Sequence, residues 1–304
     1  MALAIGQARN SRNQASRGRA QLDDNIEQPG LFGIRRMNKT RLAIGIVLAL
    51  VSLFPLLYML SLSFQPNGGI LGSTALVPTH PTTSNYVQAW TENSFGHYFF
   101  NSLFVAIATV VITVTIAALA AFAFARYSFP LKEFIFYAFL AALAVPGLLL
   151  LIPQYLLLER LHLIDSLVGL TFLYVSGNLP FTIFFLRGFF QGIPREYEEA
   201  FRLEGAGTLR VITRLIVPLS VPALAVVSIF TFNAAWDEFP AATTMLNTPS
   251  HFTLPVGLAD FIGAHTTAWG PLFAASVIAT VPTIIVFILA MRWFRSGVSL
   301  GGLR

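Results

Sequence analysis

Six runs of about twenty apolar residues interrupt this chain, at roughly 42–64, 101–125, 134–158, 167–190, 217–236 and 271–291. Each is long enough to cross a hydrocarbon core, which takes about 20 residues of helix. Inside lipid a backbone must satisfy its own N–H and C=O groups, and helices of this length do so. The expected fold is therefore an all-α integral membrane protein with six transmembrane helices. Composition agrees: 55% of the 304 residues are hydrophobic, only 11% are charged, and the mean hydropathy is +0.70. A soluble domain carries about 25% charged residues. The first run is too long for a signal-peptide core, starts too far in and lacks a small-residue cleavage site after it. It reads as an uncleaved first span.

Basic residues set the orientation, because Lys and Arg concentrate in cytoplasmic loops. Alternate connections, counting from the N-terminal segment, hold 18 Lys and Arg on one side against 1 on the other, and Arg160 is that one. The alternation places both termini in the cytoplasm. It also explains a pI near 9.8 without recourse to nucleic acid. The expected organisation is a disordered cytoplasmic tail at 1–41, a first span at 42–64 and an extracytoplasmic loop at 65–99. A transmembrane domain follows at 100–294, then a cytoplasmic tail at 295–304. Trp90, Tyr98, Phe99, Phe100, Trp236, Trp269 and Trp293 fall near span ends, where amphipathic rings sit among headgroups. Ser176-Gly177-Asn178-Leu179-Pro180 in the fourth run predicts a kink there.

The chain has no cysteine, and its five histidines (His80, His97, His162, His251, His265) are scattered without ligand spacing. No Gly-x4-Gly-Lys-Ser/Thr phosphate loop occurs, and Gly68-Gly69-Ile70-Leu71-Gly72-Ser73 lacks the lysine. A metal centre, a thiol nucleophile and an ATP site in this chain are not expected.

The basic connection at 191–217 is long for a simple link between spans. Pro194 suits the first helical position, and Glu196, Glu198 and Glu199 complement the dipole of the turns that follow. Tyr197, Ala200, Phe201 and Glu204 recur at helical spacing on one face. Gly205 and Gly207 end this helix. Thr208 caps a second, which is expected to end before Pro218. Pattern alone leaves two uses open: an amphipathic connector on the lipid surface, or a docking element for another protein.

The residues of this loop resemble the signature of inner-membrane permease subunits of ABC importers, in particular the smaller maltose-type sugar permeases. That signature is Glu-Ala-Ala-x3-Gly-x9-Ile-x-Leu-Pro. Here Glu199, Ala200 and Phe201 precede Gly205, and nine residues later comes Leu215-Ile216-Val217-Pro218. Phe201 replaces the second Ala; Leu215 and Val217 are conservative departures. Asn101-Ser102-Leu103, Trp236-Asp237-Glu238-Phe239, Thr253 to Leu258, Trp269-Gly270 and the Gly-rich end Ser296 to Gly302 are similar as well, so the resemblance covers about 42–304.

The resemblance implies a type I importer permease fold in the cytoplasmic (inner) membrane. It implies a loop that docks in a cleft of a cytoplasmic ATPase subunit. Glu199 would be the main polar contact, Ala200, Phe201 and Gly205 the packing positions, and Pro218 the break into the fifth span. It further implies a second homologous permease, two ATP-binding subunits that hold the ATP and Mg, and an extracytoplasmic solute-binding protein. The cargo would be a sugar or oligosaccharide, with glycerol 3-phosphate or another polyol derivative as the alternative.

Polar residues in spans usually face a cavity or a partner helix. Asn178, Asn233, Trp236 and Asp237 are therefore candidates for the pathway, although Asn178 could equally serve the kink and Asp237 could be solvated. A secondary transporter would call for mid-span carboxylates or internal repeats, and neither is found. A membrane-embedded enzyme would call for clustered His, Asp or Glu. Those readings, and a channel, leave the 193–218 loop unexplained.

Overall fold

The computed structural model describes residues 39–66, 77–78, 80–92, 94–262 and 267–300. Most of the expected tail, the Gly68 to Ser73 stretch, His265 and 301–304 lie outside these residues. The chain divides between Leu56 and Leu57 into two units. In the first, the described residues are the start of one helix, α1 (Lys39–Ser63), which crosses the division. Residues 42–56 are apolar all round, as suits a helix surrounded by lipid or apolar protein.

Besides short helical segments at Ser84–Val87, Gln88–Glu92 and Pro249–His251, the second unit holds the end of α1 and ten further helices among the described residues. They are α2 (Phe95–Arg126), α3 (Lys132–Ala142), α4 (Gly147–Arg160), α5 (Leu167–Gln191), α6 (Arg195–Leu203), α7 (Thr208–Leu219), α8 (Val221–Trp236), α9 (Pro240–Met245), α10 (Leu254–Asp260) and α11 (Trp269–Leu300). Four stretches are long and apolar enough to cross a membrane unaided: Leu42–Ser63, Phe95–Arg126, Leu167–Gln191 and Trp269–Met291. The other two expected spans are broken. α3 and α4 meet at 99°, and α7 and α8 at 80°, so the described residues give six spans when each bent pair counts as one.

Proline explains both breaks. Before Pro146 the chain tightens, with Leu143, Ala144 and Val145 donating to Leu140, Ala141 and Ala142 three residues back. Pro146 has no N–H with which to continue, and α4 starts afresh behind it. At the other break Ser220 stands between Pro218 and Pro222. Its N–H reaches the carbonyl oxygens of Ile216 (2.9 Å) and Val217 (3.1 Å), closing α7. The second loop helix therefore does not end before Pro218, as its sequence suggested; it runs on through Pro218 to Leu219. At Pro180, by contrast, α5 is not interrupted. Side chains supply hydrogen bonds around the missing donor: Asn178 Nδ2 donates to Tyr174 O (2.8 Å) and Thr182 Oγ1 to Asn178 O (2.8 Å).

α2 and α5 form the central pair. Ala117, Ala121 and Ala125 recur every four residues on α2 and are buried, which lets the two backbones approach. One apolar cluster joins these alanines to Ile183, Leu186 and Phe190 of α5 and to Val211, Ile212 and Ile216 of α7. A second cluster, around Trp236, Phe95, Leu170 and Met245, packs the opposite halves of the helices. The element ends alternate as the six-span reading requires. Arg126 meets Ile193 at one end, while Asp165, Thr248, His97 and Ser250 meet at the other.

Candidate functional site

The loop between α5 and α7 is compact and closely held. α6 starts behind Pro194, which stands at its N-cap rather than in the first turn. The helix closes on Gly205 at φ +82°, a left-handed conformation that favours glycine. Ala206 N then donates to Phe201 O (3.1 Å). Phe201 packs on the apolar cluster below, so the bulkier side chain faces inward. Glu199, Ala200 and Gly205 are exposed. Apolar side chains stand out beside them: Tyr197 is 55% exposed, Leu203 90% and Leu209 70%.

Glu198, not Glu199, is the carboxylate that the fold buries. Arg126 Nε, at the last residue of α2, donates to Glu198 Oε1, and both side chains are only 7% exposed. The same guanidinium donates from Nη2 to Ile193 O (2.9 Å). The neighbouring Tyr127 hydroxyl lies 3.2 Å from Thr208 Oγ1 at the start of α7. That hydrogen bond is the main cause of a Tyr127 pKa below the usual phenol value. Sequence reasoning missed this pair because 72 positions separate its members. The available signal was helical spacing, since Glu198 precedes the inward-facing Phe201 by three residues.

A second ion pair lies nearby: Arg187 Nη2 contacts Glu133 Oε1 (2.9 Å) and Oε2 (3.1 Å). Its guanidinium carbon sits 3.7 Å over the Phe136 ring.

The polar candidates within the spans do not form one cluster. Trp236 is 1% exposed. Its indole stacks on Phe232 at 13°, meets Phe99 edge-on, and donates from Nε1 to Ala279 O (3.1 Å). The ring is thus taken up by packing. Asn233 is half-buried, and its Oδ1 has no partner among the described residues. Asn178 donates within its own helix, and Asp237 is exposed at the α8 C-cap. Glu238, beside Asp237 in the same motif, is engaged within the protein. It accepts from Tyr174 Oη (2.6 Å) and from the N–H groups of Ala241 (2.7 Å) and Ala242 (3.0 Å), capping α9.

At the end of the molecule opposite α6, Asp165 ties two connections together. Its carboxylate accepts from Asn247 N (2.9 Å), Thr248 N (3.0 Å) and Thr248 Oγ1, and lies 3.3 Å from His251 Nδ1. Burial pulls its pKa upward, but the hydrogen bonds outweigh that and hold it well below the usual carboxylate range.

Among the described residues no group of His, Cys, Asp or Glu could hold a metal. What remains is a set of broken and unbroken spans carrying a short, ion-paired helical loop with an exposed mixed face. Residues 113–299 match the family "Binding-protein-dependent transport system inner membrane component", and the chain belongs to that family. It is therefore a non-enzymatic inner-membrane component of an ABC importer, a class that works with ATPase and solute-binding subunits.

Two relatives illustrate the kinship. The chain is 32% identical over 272 residues to the diacetylchitobiose uptake system permease protein NgcG of Streptomyces coelicolor, covering 89% of this chain and 90% of that one. It is 33% identical over 272 residues to the trehalose/maltose transport system permease protein MalG of Thermococcus litoralis, covering 88% and 98%. A chain from the crystal structure of a bacterial ABC transporter involved in the import of the acidic polysaccharide alginate has the same fold. Its TM-score is 0.74 at 21% identity, covering 88% of this chain and 98% of that one.

Proposed function

We propose that this permease imports a sugar or oligosaccharide, and that α6 is the helix through which separate ATPase subunits drive it. The observation that carries the coupling reading is the exposed face of α6 and its turn. Leu203 and Leu209 stand out in a segment that also exposes Glu199, Ala200 and Gly205. Such a patch marks a protein or a membrane contact, and the acid exposed beside it favours protein. The distribution of basic residues supports a cytoplasmic location for this end and for both termini. The ATPase subunits, two in number, bind the ATP and Mg; this chain holds neither.

A second homologous permease completes the pore in this reading. Support comes from the α3–α4 break, whose residues 141–150 are exposed in the single chain. Irregular backbone at membrane depth is tolerated only against protein or a water-filled cavity. Asn233, with its unpartnered Oδ1, is the pathway residue this reading favours, with Asn178 and Asp237 as further candidates. The sugar cargo is supported by the diacetylchitobiose and trehalose/maltose systems named above. An extracytoplasmic binding protein delivers it to the Asp165 end.

The test is uptake of labelled sugars in cells that carry Glu199→Lys. The expected result is lost transport with normal membrane insertion. Unchanged transport would remove Glu199 from the docking contact.

A further inference from the structure

α2 differs from every other described span. α1 contains Pro55, α5 Pro180 and α11 Pro282, and the remaining two spans are the bent pairs. α2 runs 32 residues from Phe95 to Arg126 without a proline or a break. At 1.5 Å per residue it is about 48 Å long, and it lacks the usual causes of a kink.

Side chains at both ends of this helix grip other segments. At one end Arg126 binds Glu198 on α6 and Ile193 O just before it, and Tyr127 contacts Thr208 on α7. The next segments of the chain join α6 only through short linkers with glycines: Gly192 before it, Gly205 and Gly207 after it. At the other end His97 Nε2 donates to Ser250 O (2.7 Å), and Asn101 Nδ2 donates to Ser250 O and Phe252 O (both 2.9 Å). Ser102 Oγ accepts from Leu254 N (2.7 Å).

We infer that α2 is a rod that carries displacement of the coupling helix to the opposite face of the membrane, and that Arg126 is the positioning residue that makes α6 travel with it. Burial of the pair is the reason to assign it more than a surface role. Two desolvated charges held in one geometry are a poor route to stability alone. The orientation they impose is specific: one guanidinium fixes both a side chain of α6 and the carbonyl at its entrance. This inference rests on the coupling role proposed for α6.

The test uses the whole assembly in proteoliposomes with its binding protein and ATPase subunits. Arg126→Met combined with Glu198→Leu removes both charges and so leaves no buried ion unpaired. The expected result is ATPase subunits still bound and still hydrolysing, with uptake per ATP reduced about tenfold, taking a site-to-site coupling energy as the scale. Unchanged uptake per ATP, or loss of the ATPase subunits, overturns the assignment.

The chain has no cysteine, so Arg126→Cys with Glu198→Cys would be its only thiols and can be bridged by a bifunctional thiol reagent, with the cysteine-free wild-type chain in the same assembly as the control. The bridged pair should restore uptake per ATP, because α2 and α6 move as one. A bridge that blocks transport refutes the rod even if the Met/Leu variant fails to fold. Failure of the coupling role itself is read separately: Gly205→Trp would then leave ATPase binding and uptake intact.

Discussion

Trp236 provides the sharpest test of where packing ends and transport begins. Replacing it with alanine removes a fully buried ring, its stack on Phe232, its edge contact with Phe99 and its hydrogen bond to Ala279 O. In water-soluble cores such a truncation costs about 3–5 kcal/mol. Lipid tails are as apolar as the core, so part of the transfer contribution drops out and packing remains. The expected loss is about 2–4 kcal/mol. Trp236→Phe keeps an aromatic ring on Phe232 and gives up the hydrogen bond and some volume, for about 1–2 kcal/mol. Thermal unfolding of the detergent-purified assembly should rank wild type above Phe and Phe above Ala. The cargo concentration that half-saturates ATP hydrolysis should stay the same in all three. A stable Trp236→Ala variant with altered cargo response would refute this reasoning and put the ring in the pathway.

Two further predictions concern the end opposite α6. The folded-state pKa of Asp165 lies below its unfolded value near 3.9, so its contribution is full above about pH 4 and fades as pH falls through that value toward the folded pKa. Asp165→Asn should therefore be less stable than wild type by about 1–3 kcal/mol at pH 7, with the gap narrowing below about pH 4 in unfolding measurements; a gap independent of pH would contradict the assignment. A Cβ at Gly257 would lie 2.0 Å from the Tyr98 ring. Gly257→Ala should destabilise by about 1–3 kcal/mol, and Tyr98→Ala in the same chain should recover part of that; additive losses would show that the contact is not the cause.

The apolar runs disclosed the spans because lipid accepts little else, and their outer limits moved by only a few residues at most ends. The larger differences are at α2, which starts at Phe95 instead of 101 since His97 and Asn101 are helical residues used for contacts with Ser250, at the bent α7–α8 span, which starts at Thr208 instead of 217, and at α11, which runs on to Leu300 instead of 291. The breaks were less legible. Pro146 and Ser220 lie in stretches that stay apolar on both sides, so composition passed straight over them. At Pro180 the signal was plain, but the helix runs on through it, with Asn178 and Thr182 supplying local side-chain hydrogen bonds. The loop motif at 199–218 was visible because its spacing is local. Arg126–Glu198 and Tyr127–Thr208 were not, because they join residues far apart in the chain. Trp236 and Asn233 looked equivalent in sequence, and only the packing of Phe232, Phe99 and Ala279 separates them.

The central claim is that α6 and its glycine turn receive an ATPase subunit. The direct measurement is purification of the tagged chain from its native host in mild detergent, beside a Gly205→Trp variant, with mass spectrometry of the co-eluting proteins. Gly205 has φ +82° and an exposed position, so tryptophan both strains the turn and fills the approach to it. An ATPase subunit that accompanies the wild type and is missing from the inserted, folded variant is the result the account predicts. The same subunit recovered equally with both chains would contradict it.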